Sequence, residues 1–161
     1  MISYSGLDEA GLTRLAGRLA GAVASGGVIH LAGPLGAGKT TFARALLGAL
    51  GVRTRIKSPT YSLIESYDLG ALGALHLDLY RIAAAEEVEW LGLRDYAGGR
   101  WLWLIEWPER APEAIPAPDL IVRLAHAGDA RDVALVATTA LGRQWLEQSG
   151  FIETRQAGTV S

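Results

Sequence analysis

Apolar side chains recur at intervals of three and four residues in four parts of the chain, and this spacing predicts four helices. The first predicted helix begins at Asp8, and the glycine pair Gly26-Gly27 supplies its stop signal. The second ends before Gly51, and the third carries a row of glutamates. The four predicted helices span residues 8–25, 40–50, 83–91 and 141–148.

Strand patterns lie between these helices. Two short, largely apolar runs predict buried strands, and one of them contains Glu106. Strict alternation in another segment places His76, Asp78 and Tyr80 on one face of a strand. The predicted strands span residues 28–32, 61–67, 74–80, 101–107, 120–125 and 132–138, and the last two form a hairpin.

Composition predicts one folded domain over residues 1–150, followed by a polar tail over residues 151–161 that shows no periodicity. Half of the 161 residues are hydrophobic and 20% are charged, which is enough apolar material for a real core. The formal net charge is −2, so we expect contact with nucleic acid to be local or delegated to a partner. The chain has no cysteine, no secretory start and no long apolar run, and we therefore expect a soluble, cytoplasmic protein without a membrane partner.

A glycine-rich segment joins the first buried strand to the second predicted helix. Its sequence is Gly33-Pro34-Leu35-Gly36-Ala37-Gly38-Lys39-Thr40, which is a P-loop motif with the expected strand and helix on either side. Such glycines let backbone N–H groups converge on phosphates, and the helix start adds partial positive charge. We expect Lys39 to contact the phosphates and the Thr40 hydroxyl to bind Mg²⁺. The expected nucleotide contacts are Gly33, Leu35, Gly36, Ala37, Gly38, Lys39, Thr40 and Thr41.

Two carboxylates, Asp78 and Glu106, stand inside otherwise apolar strands. A buried carboxylate is costly unless it is paired or bound to a metal, and Mg²⁺ prefers oxygen ligands. We therefore expect both acids to be catalytic or metal-binding residues near Thr40. The spacing leaves open which acid contacts the metal and which orients the attacking water. For Asp78 the alternative is a polar residue on a half-exposed strand.

The segment Lys57-Ser58-Pro59-Thr60-Tyr61 precedes a predicted strand. Because Pro59 biases Ser58 toward an extended backbone, Thr60 could reach the γ-phosphate or its metal, as threonines of switch loops do. An ordinary turn before a strand is the alternative. The chain has no Asn-Lys-x-Asp segment of the kind that reads guanine, which favours ATP over GTP.

Most tryptophans and histidines are expected to be structural. Trp107 follows Glu106 directly and either borders the nucleotide or packs in the core. His30 and His76 lie in strands without metal-ligand partners at a suitable spacing, and His126 is expected on the hairpin surface. Core positions are expected for Trp90, Trp101, Trp103 and Trp145.

Several motifs taken together resemble one family. In chain order they are G-x-L-G-A-G-K-T-T, S-P-T-Y-S-L-I-E-S-Y, H-L-D-L-Y-R, L-G-L-R-D-Y and L-I-E-W-P-E. This order closely resembles TsaE, the bacterial P-loop ATPase subunit of the machinery that makes tRNA threonylcarbamoyladenosine. The match runs from about Asp8 to about Leu141. The P-loop alone would fit a large superfamily, whereas the motifs that follow it are specific to this family.

The resemblance implies an α/β fold of the P-loop NTPase type, with a mixed sheet flanked by helices. It implies Thr40 and Glu106 at Mg²⁺, Asp78 as an essential acid nearby, and Ser58-Pro59-Thr60 as a switch-like loop. Arg131 is similar to a family residue near the nucleotide base. The resemblance also implies that ATP hydrolysis serves a partner complex, made of the catalytic threonylcarbamoyl-transfer subunit and its paralogue, and that tRNA is reached only through that complex.

Two other functions are compatible with the P-loop. A small P-loop kinase would need a lid with arginines, and the proline-rich stretch after Trp107 contains only Arg110. A nucleotide-gated binding module, in which hydrolysis is incidental, would still work after Asp78→Asn as long as ATP bound.

Overall fold

The computed structural model describes residues 1–53, 63–96 and 100–151. Within these residues the chain forms a seven-stranded sheet and four α-helices, with three short 3₁₀ helices at residues 22–25, 93–96 and 108–110. The strands are β1 (Ile2–Leu7), β2 (Gly27–Ala32), β3 (Ile64–Asp68), β4 (Gly73–Asp78), β5 (Trp101–Glu106), β6 (Leu120–Ala127) and β7 (Ala130–Ala137). The helices are α1 (Glu9–Ala20), α2 (Lys39–Ala49), α3 (Glu86–Glu89) and α4 (Ala140–Gln148).

The sheet is mixed, with the strand order β1-β7-β6-β2-β5-β4-β3. Its centre is parallel, because β2 pairs in parallel with both β5 and β6, and β4 pairs in parallel with β5. Both edges of the sheet are antiparallel. On one side β3 pairs with β4, and on the other side β7 pairs with β6 and β1 pairs with β7. The single-domain α/β fold with a mixed sheet is therefore confirmed.

Alternating residues of the central strands supply two hydrophobic clusters, one on each face of the sheet. Ile29 and Leu31 point to the face covered by α1, α2 and α4, where the fully buried Phe42 and the nearly buried Trp145 also lie. Val28 and Ile105 belong to the opposite cluster, which the segments around α3 and the proline-rich connection complete. Burial on both faces explains why these strands read as apolar runs.

The structure differs from the predicted elements at three places. The N-terminal strand β1 was not expected, and it forms by pairing with β7. The first predicted helix stops at Ala20 and tightens into a 3₁₀ turn that ends at Gly26, which has φ 91°. The third predicted helix is the single turn α3, whose N-terminus receives no side-chain cap and which buries only Val88.

One expectation about a single residue is also wrong, because Trp90 is 82% exposed rather than part of the core. His76 lies in a strand as expected, and it is fully buried there. Trp145 is buried as expected. Phe151 packs against Tyr4 and beneath the Arg18 guanidinium, and residues 152–161 lie outside the described residues.

The topology brings three chain segments to one edge of the sheet. Strand β2 ends at Ala32 and leads into the glycine-rich loop, while β4 and β5 end side by side at Asp78 and Glu106, which are paired in register. The carboxyl edge of parallel strands is where open α/β sheets bind ligands. No helix among the described residues is both long and apolar enough to cross a lipid bilayer.

Candidate functional site

The loop between β2 and α2 folds closely against β6. Gly33, Gly36 and Gly38 have φ values of 150°, 76° and 104°, which lie in the region that side chains disfavour. A methyl group added to Gly33 would collide with the backbone carbonyl oxygen of Leu124 in β6. Among the described residues, no side chain caps the N-terminus of α2, so the first N–H groups of this helix have no side-chain partner there. These N–H groups, next to the glycine-rich loop, are available to a ligand.

Lys39 is the first residue of α2, and its side chain turns back over this loop. Its ammonium donates to the carbonyl oxygens of Gly33 and Pro34, the latter at 3.2 Å, and lies 3.7 Å from the centre of the Trp107 indole ring. The residue is only 5% exposed. Burial lowers the pKa of Lys39, while the charges of Glu106, Glu109 and Asp78 oppose that shift. The cation is held by neutral carbonyls and an aromatic face, contacts that an anion at the same place could replace.

Glu106, at the end of β5, is 2% exposed and holds two neighbours through its carboxylate. The Thr40 hydroxyl donates to Glu106 Oε1 at 2.9 Å. On the other oxygen, Glu106 Oε2 lies 2.6 Å from His76 Nε2. A carboxylate inside a sheet is thus explained by two polar partners, as the cost of burying it requires.

Asp78 ends β4 next to Glu106 and is half-buried. Its Oδ1 accepts a hydrogen bond from the backbone N–H of Tyr80 at 3.0 Å. Burial raises the pKa of Asp78 and the nearby Glu106 charge raises it further, while the Tyr80 hydrogen bond, His76 and Lys39 act in the opposite direction. The result is a carboxylate that is a better proton acceptor than an ordinary surface aspartate.

Trp107 forms a wall of the cleft in an unusual backbone conformation. Its φ of 57° and ψ of 49° are left-handed, which is rare for a bulky residue and costs of the order of 1–3 kcal/mol. The indole packs on the Tyr80 ring at a centroid distance of 4.9 Å. Backbone strain of this kind concentrates at functional sites, where the surrounding structure holds it in place.

These residues surround a cleft of about 470 Å³. A volume of that size lies within the range of small-molecule and cofactor sites. The lining residues are Leu35, Gly36, Gly38, Lys39, Thr40, Thr41, Asp78, Tyr80, Arg81, Glu106 and Trp107. The cleft combines the glycine-rich loop with two cationic side chains, three hydroxyl groups and two carboxylates.

Comparison with known proteins connects this geometry to one family. Residues 7–133 match the family model described as threonylcarbamoyl adenosine biosynthesis protein TsaE. The chain belongs to the TsaE family. It is similar to the tRNA threonylcarbamoyladenosine biosynthesis proteins TsaE of Haemophilus influenzae, with 42% identity over 72% of this chain and 73% of the relative, and of Bacillus subtilis, with 38% identity over 74% and 73%. The crystal structure of Bacillus subtilis YdiB superposes with a TM-score of 0.76 at 30% identity, over 94% of this chain and 97% of that one.

A smaller cleft of about 190 Å³ adjoins the first in this TsaE chain and shares Gly36, Gly38 and Thr41 with it. Arg131 and Asp129 line it from the hairpin, and Asp8 and Glu9 line it from the start of α1. Arg131 Nη2 donates to the Gly36 carbonyl oxygen at 3.1 Å, so this arginine touches the P-loop from the side away from Asp78.

The structure brings together most of the residues that the sequence singled out. Lys39, Thr40, Asp78, Glu106 and Trp107 share the larger cleft, and Arg131 lines the smaller one. Ala37 is buried inside the loop and Gly33 contributes a carbonyl oxygen to Lys39. Ser58, Pro59 and Thr60 lie outside the described residues.

Sequence reasoning missed His76, Tyr80 and Arg81 as parts of the site. All three belong to the H-L-D-L-Y-R segment around Asp78, and the alternation that singled out Asp78 places His76 on the same strand face. Their signal was therefore present, but it also fits an exposed polar strand face. His126, expected on the surface, is exposed, and its Nε2 lies 3.0 Å from the Leu35 carbonyl oxygen in the P-loop.

Proposed function

We propose that this protein is the ATP-binding and ATP-hydrolysing accessory subunit of the machinery that forms threonylcarbamoyladenosine in tRNA. The observation that carries the proposal is the convergence of Lys39, Thr40, Asp78 and Glu106 on one cleft beside the P-loop backbone. Phosphoryl transfer needs positioning and charge stabilisation more than covalent chemistry, and this set of groups provides both. The biosynthetic role comes from family membership and from the names of the relatives.

The donor set fits Mg²⁺. The Thr40 hydroxyl and the Glu106 carboxylate already touch at 2.9 Å, with Asp78 paired beside Glu106, so hard oxygen ligands meet at one point near the P-loop. Thr40 and Glu106 would hold the ion, with Asp78 adjacent. When bound, Mg²⁺ neutralises charge on the phosphate oxygens.

The protein's own groups then divide the remaining work. The N–H groups of the loop bind the phosphates, and Lys39 exchanges the Gly33 and Pro34 carbonyls for phosphate oxygens. Asp78, whose pKa burial raises, orients the attacking water and accepts its proton. Trp107 excludes water on the side of the cleft opposite the P-loop carbonyls.

The partners that we propose are the catalytic threonylcarbamoyl-transfer subunit and its paralogue, and the protein acts in the cytoplasm. Hydrolysis is slow alone and depends on that complex. With a net charge of −2, the chain offers no general attraction for tRNA, so tRNA is reached through the complex. Family membership favours this role over a small P-loop kinase.

The test is calorimetric ATP binding with Mg²⁺, together with the fate of labelled γ-phosphate in the presence of water, nucleosides and small metabolites. The wild-type protein is expected to bind ATP and to release inorganic phosphate only. Lys39→Ala should lose ATP affinity and hydrolysis together, since Lys39 contacts phosphate in the ground and transition states. Arg14→Ala, an exposed change on α1 away from the larger cleft, is the control. Label in an acceptor would establish a kinase instead, and unchanged ATP affinity of Lys39→Ala would remove Lys39 from the site.

A further inference from the structure

The most unusual polar group in the described part of the chain is His76. It is 0% exposed, it lies in the middle of β4, and its Nε2 is 2.6 Å from Glu106 Oε2. The other ring nitrogen, Nδ1, is buried and has no hydrogen-bond partner among the described residues. The imidazole therefore directs its one observed hydrogen bond at the carboxylate of the site.

We propose that His76 is a positioning residue that fixes the Glu106 carboxylate against Thr40, and that Mg²⁺-dependent nucleotide binding relies on it. The inference rests on the proposed function, because it assigns His76 to the same site. His76 itself touches neither nucleotide nor metal, and it acts only through Glu106.

Strand register explains how the histidine reaches this place. In the parallel pair β4 and β5, His76 is paired with Leu104, and Asp78 is paired with Glu106. Side chains two residues apart in a strand share a face, so His76 and Asp78 lie on one side of the sheet. Ala74 and Leu104 on that side belong to the cluster that contains Phe42 of α2, the helix that begins with Lys39 and Thr40. His76 thus lies in the sheet beneath the metal-binding end of Glu106.

The Glu106 carboxylate has two neighbours that approach it from different directions. Carboxylate oxygens accept, so His76 Nε2 donates to Oε2 at 2.6 Å, while the Thr40 hydroxyl lies 2.9 Å from Oε1 and 3.2 Å from Oε2. The shortest contact of each oxygen is therefore with a different side chain, and the two contacts together fix the plane of the carboxylate. Without His76, Glu106 would keep only the Thr40 contacts, and its carboxylate could rotate about its last bond.

Packing alone does not account for a histidine at this position. Ala74 and Leu104 on this face are apolar, and a leucine would leave no unpaired Nδ1, but it would also remove the 2.6 Å hydrogen bond to the buried Glu106 carboxylate. Groups that hold a metal ligand in orientation are worth about 10–100-fold in metal affinity. Placing the Nε2 donor against Glu106 leaves the other ring nitrogen, Nδ1, buried without a hydrogen-bond partner among the described residues.

The test compares the ATP affinity of His76 variants with Mg²⁺ and with a chelator, measured by calorimetry on the full chain, with thermal unfolding as a check of the fold. His76→Leu should lose about 10–100-fold of ATP affinity with Mg²⁺ and keep the affinity measured in chelator. His30→Leu is the matched control, because His30 also lies in a strand of the parallel centre of the sheet, β2, and bonds to the Pro116 carbonyl rather than to the site.

Two polar variants keep the test decisive if His76→Leu fails to fold. The amide nitrogen of glutamine reaches the position of Nε2, whereas that of asparagine stops short of it. His76→Gln should therefore restore most of the Mg²⁺-dependent affinity, and His76→Asn should not. Equal affinities of these two variants, or an equal loss with Mg²⁺ and with chelator, would overturn the positioning role. If the wild-type protein gains no affinity from Mg²⁺, the proposed function itself is wrong and this inference falls with it.

Discussion

At the scale of single residues, the cleft places two similar acids in different surroundings. Glu106 is almost fully buried and has two side-chain partners, Thr40 and His76. Asp78 is half-buried, accepts from the backbone of Tyr80 and has a raised pKa because burial disfavours its charge. Two carboxylates in unlike environments support two roles, one fixed as a ligand and one available as a proton acceptor.

This difference predicts different phenotypes for the two alanine variants. Glu106→Ala should mainly weaken ATP binding in the presence of Mg²⁺, and Asp78→Ala should mainly slow phosphate release, by about 10²–10⁴-fold if Asp78 is the general base. ATP affinity with and without Mg²⁺ and steady-state phosphate release of both variants decide the assignment. Exchanged phenotypes would mean that the roles are exchanged.

At the scale of elements, the P-loop is shaped by its contact with a strand far away in the chain. Gly33 lies so close to the Leu124 carbonyl oxygen of β6 that no side chain fits between them. Two side chains of the hairpin formed by β6 and β7 also contact the loop. His126 bonds to the Leu35 carbonyl oxygen, and Arg131 donates to the Gly36 carbonyl oxygen. The conformation of the loop therefore depends on the sheet order as well as on its own glycines.

We expect Gly33→Ala to lower both stability and ATP affinity. The new methyl group would push the loop away from β6, and the φ of 150° adds strain for any residue with a Cβ. Gly48→Ala in α2 is the control, because nothing lies within 4 Å of the new Cβ. Alanine there should stabilise the helix by up to about 1 kcal/mol. Chemical denaturation and ATP titration of both variants measure the effects, and a Gly33→Ala protein that binds ATP normally would refute the close-contact argument.

His30 connects β2 to the proline-rich connection, and its titration should make the free energy of unfolding depend on pH. Burial lowers the pKa of His30 below 6.5, against the opposing effects of its hydrogen bond to the Pro116 carbonyl and of the Glu109 charge. As pH falls below 6.5, the unfolded chain takes up a proton that the folded protein resists, so the free energy of unfolding decreases until the folded pKa is passed.

His30→Leu removes this titration. Its free energy of unfolding, measured by urea denaturation between about pH 5.5 and 7.5, should fall less on acidification than that of the wild-type protein. The difference between the two curves isolates His30 from the other acidic and basic groups. Curves that stay parallel over this interval would show that His30 does not contribute.

At the scale of the whole molecule, the cleft faces outward, and the segment that contains Ser58 and Thr60 lies outside the described residues. Arg81 follows β4 and lines the cleft, while Arg131 contacts the P-loop from the other side. A partner that binds beside this cleft and changes its nucleotide affinity must, by linkage, have its own affinity changed by the nucleotide by the same factor.

The proposed partner dependence predicts that the purified protein is a slow ATPase and that the two-subunit threonylcarbamoyl-transfer complex accelerates it. An arginine supplied in trans can increase such rates by about 10³–10⁵-fold. Phosphate release is measured for the protein alone and after addition of the complex, with Lys39→Ala as the inactive control. Turnover of about 10 s⁻¹ by the isolated protein, with no increase on adding the complex, would contradict a partner-dependent role.

The sequence by itself determined the glycine-rich loop, the central strands and which side chains are candidates for the site. Those features depend on local spacing, since a strand, a glycine-rich turn and a helix follow one another directly in residues 27–49. The alternation in β4 and the single acid in β5 could also be recognised from the sequence, because they too are local patterns. Burial on both faces left few polar positions, so Asp78 and Glu106 stood out.

Only the tertiary structure decided the features that depend on residues far apart in the chain. Strand β1 exists because it pairs with β7, and the spacing of six residues alone did not predict it. The same reason hid the burial of His76, whose alternation with leucines also fits a strand with one exposed face. Periodicity tells which residues share a face, but whether that face meets solvent, a helix or a carboxylate depends on sheet order and packing, which are set by long-range contacts.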